Sequence, residues 1–248
     1  MATMLGVDEP RPLPPAFFVK GRPDVPRAVQ TGVHWLKAWT IEQGGVPLII
    51  SPARESEGRI VQMAPDAGKV IRQTFLTMFR SPWKGGPVLA VWADDKVLGQ
   101  IDDDYRVTAV CTVLDSLTHA PLWLKARQPT EIGSSDSVLP PAVDLDPIAR
   151  VALEQLTRHV NLGTGLTHPS DRGYAIETVQ ALHAGRRKLS PDDVHAWAAQ
   201  HGWRPDGAND LRDLVIGVAA GKHYRHRGGT LRPASELLAI WKREAAKA

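Results

Sequence analysis

PVLAVWADDKVLGQIDDDYRVTAVCTVL, residues 87–114, is the stretch on which the fold turns. At its ends stand two runs that are apolar without alternation, Pro87 to Ala93 and Val107 to Leu114. Unbroken apolar character marks strands covered on both faces, as in parallel sheets with helices above and below. Between the runs Asp94 or Asp95 can cap a short helix through Ile101, and the span from Ala93 to Val107 is long enough for the crossover a parallel pair requires. A third run, VPLIIS, covers Val46 to Ser51. Three such strands separated by helical patterns predict a small, open, Rossmann-like α/β domain over residues 27–130.

Outward from these strands, Val29, Val33, Leu36 and Trp39 recur at helical spacing between Val25 and Gln43, and Gly44-Gly45 stops the run. Pro52 to Pro65 is ambiguous, with RIVQM a candidate short strand. Asp66 reads as the cap of a helix through Arg80 that buries Val70, Ile71, Thr74, Phe75, Met78 and Phe79. LTHAPLWLKAR leans to a closing helix. Upstream, six prolines between Pro10 and Pro26 predict an arm over residues 1–26, docked on the body by Phe17, Phe18 and Val19.

A linker, EIGSSDSVLPPAVDLD over residues 131–146, follows the α/β domain. The chain then turns wholly helical over residues 147–248. Helix openings stand at Asp146-Pro147, His168-Pro169-Ser170, Ser190-Pro191, Asp206 and Pro233, and stops at Gly185, Gly202 and Gly221. Short, individually capped helices with short turns predict a compact five-helix bundle. This half carries fifteen Lys and Arg against ten Asp and Glu, net +5, whereas residues 1–146 carry fifteen against seventeen. A basic half favours an anionic partner. Arginine outnumbers lysine twenty to ten, a bias typical of GC-rich genomes.

Cys111 is alone within an apolar run and reads as a core residue of a reducing compartment. The first residues, MATMLGVDEPRPLPP, lack the basic start and apolar stretch of a signal peptide, and no apolar run approaches the length of a spanning helix. The expectation is a cytoplasmic protein without a membrane role.

Signatures of chemistry are weak. Gly85-Gly86 precedes a strand, whereas a phosphate cradle places its glycines after one, at a helix N-terminus. His223 and His226 lie among cations and lack further ligands for zinc. Asp94 and Asp95, just past a strand end, are the candidate Mg²⁺ ligands of an enzyme acting on a nucleotide or phosphorylated substrate, with Arg54 neutralising its charge. The same aspartates also serve as helix caps, and Asp102, Asp103 and Asp104 read as a solvated turn. No other cofactor is expected.

The stronger constellation is basic. Arg186, Arg187 and Lys188 fall between the second and third helices of the bundle; Lys222, Arg225 and Arg227 fall between the fourth and fifth, interleaved with Tyr224 and two histidines. Gly228-Gly229 would let backbone approach a phosphate. VHAWAAQHGW, Val194 to Trp203, resembles the opening helix of the DNA-binding domain in actinobacterial nucleoid-silencing proteins. The resemblance covers ten residues and lacks the Arg-Gly-Arg loop of those proteins, so no function is carried over from it. The eight tryptophans read mainly as core. The sequence therefore points to a non-enzymatic two-domain protein, its α/β half an interaction or regulatory module and its helical half contacting nucleic acid or another acidic partner. A magnesium enzyme and a protein-protein adaptor are the alternatives.

Overall fold

A computed structural model describes residues 12–77, 82–133, 138–225, 228–230 and 232–247. Among them six strands form one sheet: β1 (Ala16–Lys20), β2 (Leu48–Ser51), β3 (Ile71–Thr74), β4 (Gly86–Val91), β5 (Val107–Leu114) and β6 (Thr130–Glu131). Their order is β3-β2-β4-β5-β1-β6 and every pairing is parallel. Period-two alternation splits each central strand between two cores. Phe18, Ile50, Ala90 and Val110 pack with α3 (Asp95–Asp103) and α4 (Pro121–Arg127). Ile49, Leu89, Cys111 and Val113 pack with α1 (Val25–Gln43) and α2 (Arg54–Met63) on the opposite face. Helices on both faces of an open parallel sheet are the α/β class that the unbroken apolar runs demand.

Three local expectations are overturned. The segment taken for part of a docked arm supplies β1, an interior strand paired with β5 from Ala16↔Val110 to Lys20↔Leu114; its prolines flank the strand instead of interrupting it. Residues 1–11 lie outside the described residues. The helix expected from Asp66 is a short 3-10 turn, Pro65–Lys69, followed by β3, because the free edge of β2 offers Ile71-Arg72-Gln73-Thr74 a ladder of hydrogen bonds that outweighs the helical spacing. Met78 and Phe79, assigned to that helix, lie outside the described residues. The candidate strand RIVQM belongs to α2, where Ile60 alone is fully buried, against the α1 core.

The second half is helical: α5 (Pro147–His159), α6 (Pro169–Ala184), α7 (Pro191–Gln200), α8 (Pro205–Ala219) and α9 (Ala234–Ala245). Proline stands in the first turn of the first four, and Asp146, His168 and Ser190 accept backbone N–H bonds as their N-caps. Trp197 and Trp203 sit in the main core with Leu156, Val179 and Leu211, while Trp241 closes a second cluster of α5, α6 and α9. None of the helices among the described residues is long and apolar enough to cross a membrane.

The halves meet where α3 and α4 lie against α7 and α8. Lys125 Nζ pairs with Asp193 Oδ1 at 2.8 Å, with each side chain 12% exposed. Gln200 Nε2 donates to Ala126 O at 2.8 Å, and Arg204 Nε contacts Asp103 Oδ2 at 3.1 Å. Behind this contact Asp102, expected on a solvated turn, is buried: its side chain is 11% exposed, its Oδ2 accepts from Trp123 Nε1 at 2.8 Å and lies 3.4 Å from Arg127 Nε. Burial pushes its carboxyl up to about 6, against the opposing pull of Arg127 and of the Trp123 bond.

Two outcomes follow for stability. A carboxyl whose folded pKa lies above its unfolded value of about 3.9 binds its proton preferentially in the folded state between those two pH values, so acidification through them stabilises the fold. Measured against Asp102→Asn, which stays uncharged, the wild-type chain should gain roughly 1–1.5 kcal/mol between pH 7 and pH 5 in urea titrations; an unchanged difference would refute the buried, raised carboxyl. Trp197→Ala should cost about 3–5 kcal/mol in the same titration, since it empties a fully enclosed site.

Candidate functional site

The acids at the strand ends are engaged in holding helices. Asp94 follows β4 and caps α3, its Oδ1 accepting from Val97 N at 2.9 Å. Asp95 turns toward α4, where its Oδ1 accepts from Trp123 N at 2.7 Å, and burial raises its carboxyl against the pull of that bond. Arg54, the first residue of α2, is exposed at the end of β2. Among the described residues no group of three His, Cys, Asp or Glu is arranged to hold a metal ion. Nor is the turn from β1 to α1 a phosphate cradle: Asp24 caps α1, accepting from Arg27 N at 3.1 Å, which puts a carboxylate where an anion would sit. Gly85-Gly86 serves packing, since a Cβ on Gly86 would stand 2.6 Å from both N and O of Val46. Cys111 is fully buried, which pushes its thiol far above the range of a usable thiolate.

The basic residues gather at two helix ends. α6 closes with Arg186 N donating to His183 O at 2.9 Å and Arg187 N to Leu182 O at 3.0 Å; α8 closes in the same way, through Gly221 N to Val218 O at 3.0 Å and Lys222 N to Gly217 O at 2.9 Å. This Schellman arrangement needs a left-handed residue, normally glycine. α8 has Gly221 at φ 82° and α7 has Gly202 at φ 81°, but α6 has Arg186 at φ 51°.

Between these ends lies a concavity of about 600 Å³ whose rim includes His183, Ala184, Gly221, Lys222, His223 and Arg232. Arg186 and Lys188 are exposed just beyond Ala184, and Lys222 and Arg225 are exposed on the other side. Lys222 Nζ stands 4.7 Å above the Tyr224 ring. The remaining cations are partnered: Arg187 with Asp146 at 3.5 Å and Arg232 with Glu236 at 3.2 Å. Arg227 and His226 lie outside the described residues. Gly228-Gly229, expected to admit a phosphate, instead passes close to α6: a Cβ on Gly229 would meet Glu177 Oε2 at 2.9 Å. The Glu177 carboxylate accepts from Thr230 N at 2.7 Å and Arg232 N at 3.1 Å, tying the basic loop down.

A further cavity, of about 460 Å³, opens between the halves, lined on one side by Asp95, Gly99, Asp102 and Trp123 and on the other by His195, Ala199, Trp203 and Pro205. The sequence placed Asp102 in the acidic set and read it as part of a solvated turn, and it passed over His195, because a lone His on an apolar helix carries no signal before the two halves dock.

Comparison with known proteins adds one match. Residues 145–242, from the α5 N-cap region through most of α9, match a family model described as a domain of unknown function, DUF1889. No curated protein and no solved structure matches the chain.

Proposed function

We propose that the helical half binds a polyanionic partner, nucleic acid in the first instance, through cations at the ends of α6 and α8, and that the α/β half serves as a non-catalytic interaction or regulatory module. The observation that carries this is Arg186. A long cationic side chain occupies the left-handed position of the α6 cap, where α7 and α8 use glycine. Non-glycine residues in that conformation cost about 1 kcal/mol, and strain of this kind concentrates at functional positions. Its neighbours Lys188, Lys222 and Arg225 are exposed, and none forms an ion pair among the described residues. Exposed cations on two adjoining helix ends suit phosphates spaced along a backbone, which are contacted without base readout. The catalytic alternative at Asp94 and Asp95 has less behind it, because both carboxylates hold helix N-termini.

Filter binding to duplex and single-stranded DNA and RNA at low ionic strength tests the proposal. Log affinity should fall linearly with log salt, and the triple variant Arg186→Ala, Lys222→Ala, Arg225→Ala should flatten that slope by about one unit per lost phosphate contact. Absence of salt-dependent binding to every nucleic acid removes nucleic acid as the partner, and retention of an acidic protein from the same genome would then identify the anion as protein. Arg186→Gly should separate function from folding: stability rises by roughly 0.5–1 kcal/mol while binding weakens. A variant that loses stability and keeps its affinity would make Arg186 a structural cap.

A further inference from the structure

The cavity between the halves combines three properties of a ligand site. First, two of its lining side chains carry buried polar atoms without a hydrogen-bond partner among the described residues, Asp102 Oδ1 and His195 Nδ1. His195 is only 9% exposed. A buried acceptor left unpaired costs stability, and native structures keep such groups where a ligand or ordered water completes them. Second, most of the remaining wall is apolar, with the aromatic residues Trp123 and Trp203 contributed by opposite halves. Third, the charge is one-sided. Among the described residues Asp95, Asp102 and Asp103 line the cavity, and no Lys or Arg does. Arg127 approaches Asp102 through its other oxygen and Arg204 pairs with Asp103, while Asp95 has no ion pair among the described residues. Burial, followed by the field of Arg212, lowers the His195 imidazole to about 4, so near neutrality it adds no positive charge.

We propose that this cavity binds a small arylalkylamine in its ammonium form, its ring held between Trp123 and Trp203 and its N–H donors directed to Asp102 Oδ1, with His195 Nδ1 as the second polar contact. A cation over an indole face gains from the ring quadrupole, and the charge-assisted bond to Asp102 fixes orientation. The volume lies within the range of ordinary small-molecule sites, and their usual place between domains matches this one. The N-terminal segment closes one side: Pro12 and Leu13 line the cavity, and the Arg127 guanidinium donates to Pro14 O.

Calorimetric titration of the full chain with tryptamine and naphthylmethylamine, alongside tryptophol and naphthylmethanol, tests the assignment. The amines should bind at least about tenfold more tightly than the alcohols of the same ring. Asp102→Asn should remove that preference, leaving the amines binding no more tightly than the alcohols of the same ring. Because Asp102 also bonds Trp123, Ala199→Phe supplies an independent variant: Ala199 is a partly exposed wall residue, and a phenyl group there fills the cavity and should abolish binding of all four probes with the melting temperature retained. No binding of either amine at millimolar concentration, equal affinity for amine and alcohol, or undiminished binding to a folded Ala199→Phe protein would each overturn the proposal.

Discussion

Two short helices, α3 and α4, have to satisfy two cores at once, and the arrangement of the whole molecule depends on that. Leu98, Ile101 and Leu124 face the sheet, while Gly99, Asp102 and Ala126 face the bundle. Trp123 spans both roles, with its ring in the sheet core, its side chain at the cavity and its indole N–H on Asp102. A layer that is apolar on two sides cannot tolerate charge except where partners are supplied, which is why the acids of α3 are bonded to Trp123, Arg127 and Arg204. The Lys125–Asp193 pair has the same origin. Burial alone would raise the Asp193 carboxyl, but Lys125 and the Ser190 hydroxyl hold it below the usual carboxylate range.

What could be read from the chain was local. Val107 to Leu114 is a strand because every position but one is buried, and Ser190-Pro191-Asp192-Asp193 starts a helix wherever it stands. What could not be read was decided by partners far away in the chain. Phe17-Phe18-Val19 is a strand only because β5 lies beside it, and Ile71–Thr74 extends because β2 has a free edge. The same division runs through the sites. Arg186 and Lys222 were visible as cations at helix ends, but the left-handed backbone of Arg186 is a property of the α6 cap geometry. Asp102 and His195 look ordinary until docking of the halves buries them.

α6 organises the basic surface from inside. Its C-terminal cap carries Arg186, and one turn or more earlier Glu177 and Gln180 reach across to the loop after α8, Glu177 to the backbone at Thr230 and Arg232 and Gln180 to Tyr224 O at 3.3 Å. An acid set beneath the loop fixes its backbone through N–H bonds at Thr230 and Arg232, while the side chains of Lys222 and Arg225 stay exposed on the surface.

The interior position of β1 also sets an order of assembly. Its neighbours in the sheet are β5 and β6, and Ala16 finds its partner only at Val110. During synthesis a strand containing Phe17, Phe18 and Val19 therefore emerges long before the surfaces that will cover it exist. Until Val107–Leu114 has left the ribosome this apolar segment has neither its main sheet partner nor its cover, the kind of exposed stretch that chaperones bind and that pairs with the wrong neighbour. The prolines on either side, from Pro12 to Pro15 and at Pro23 and Pro26, limit how far such mispairing can spread, because they cannot extend the ladder.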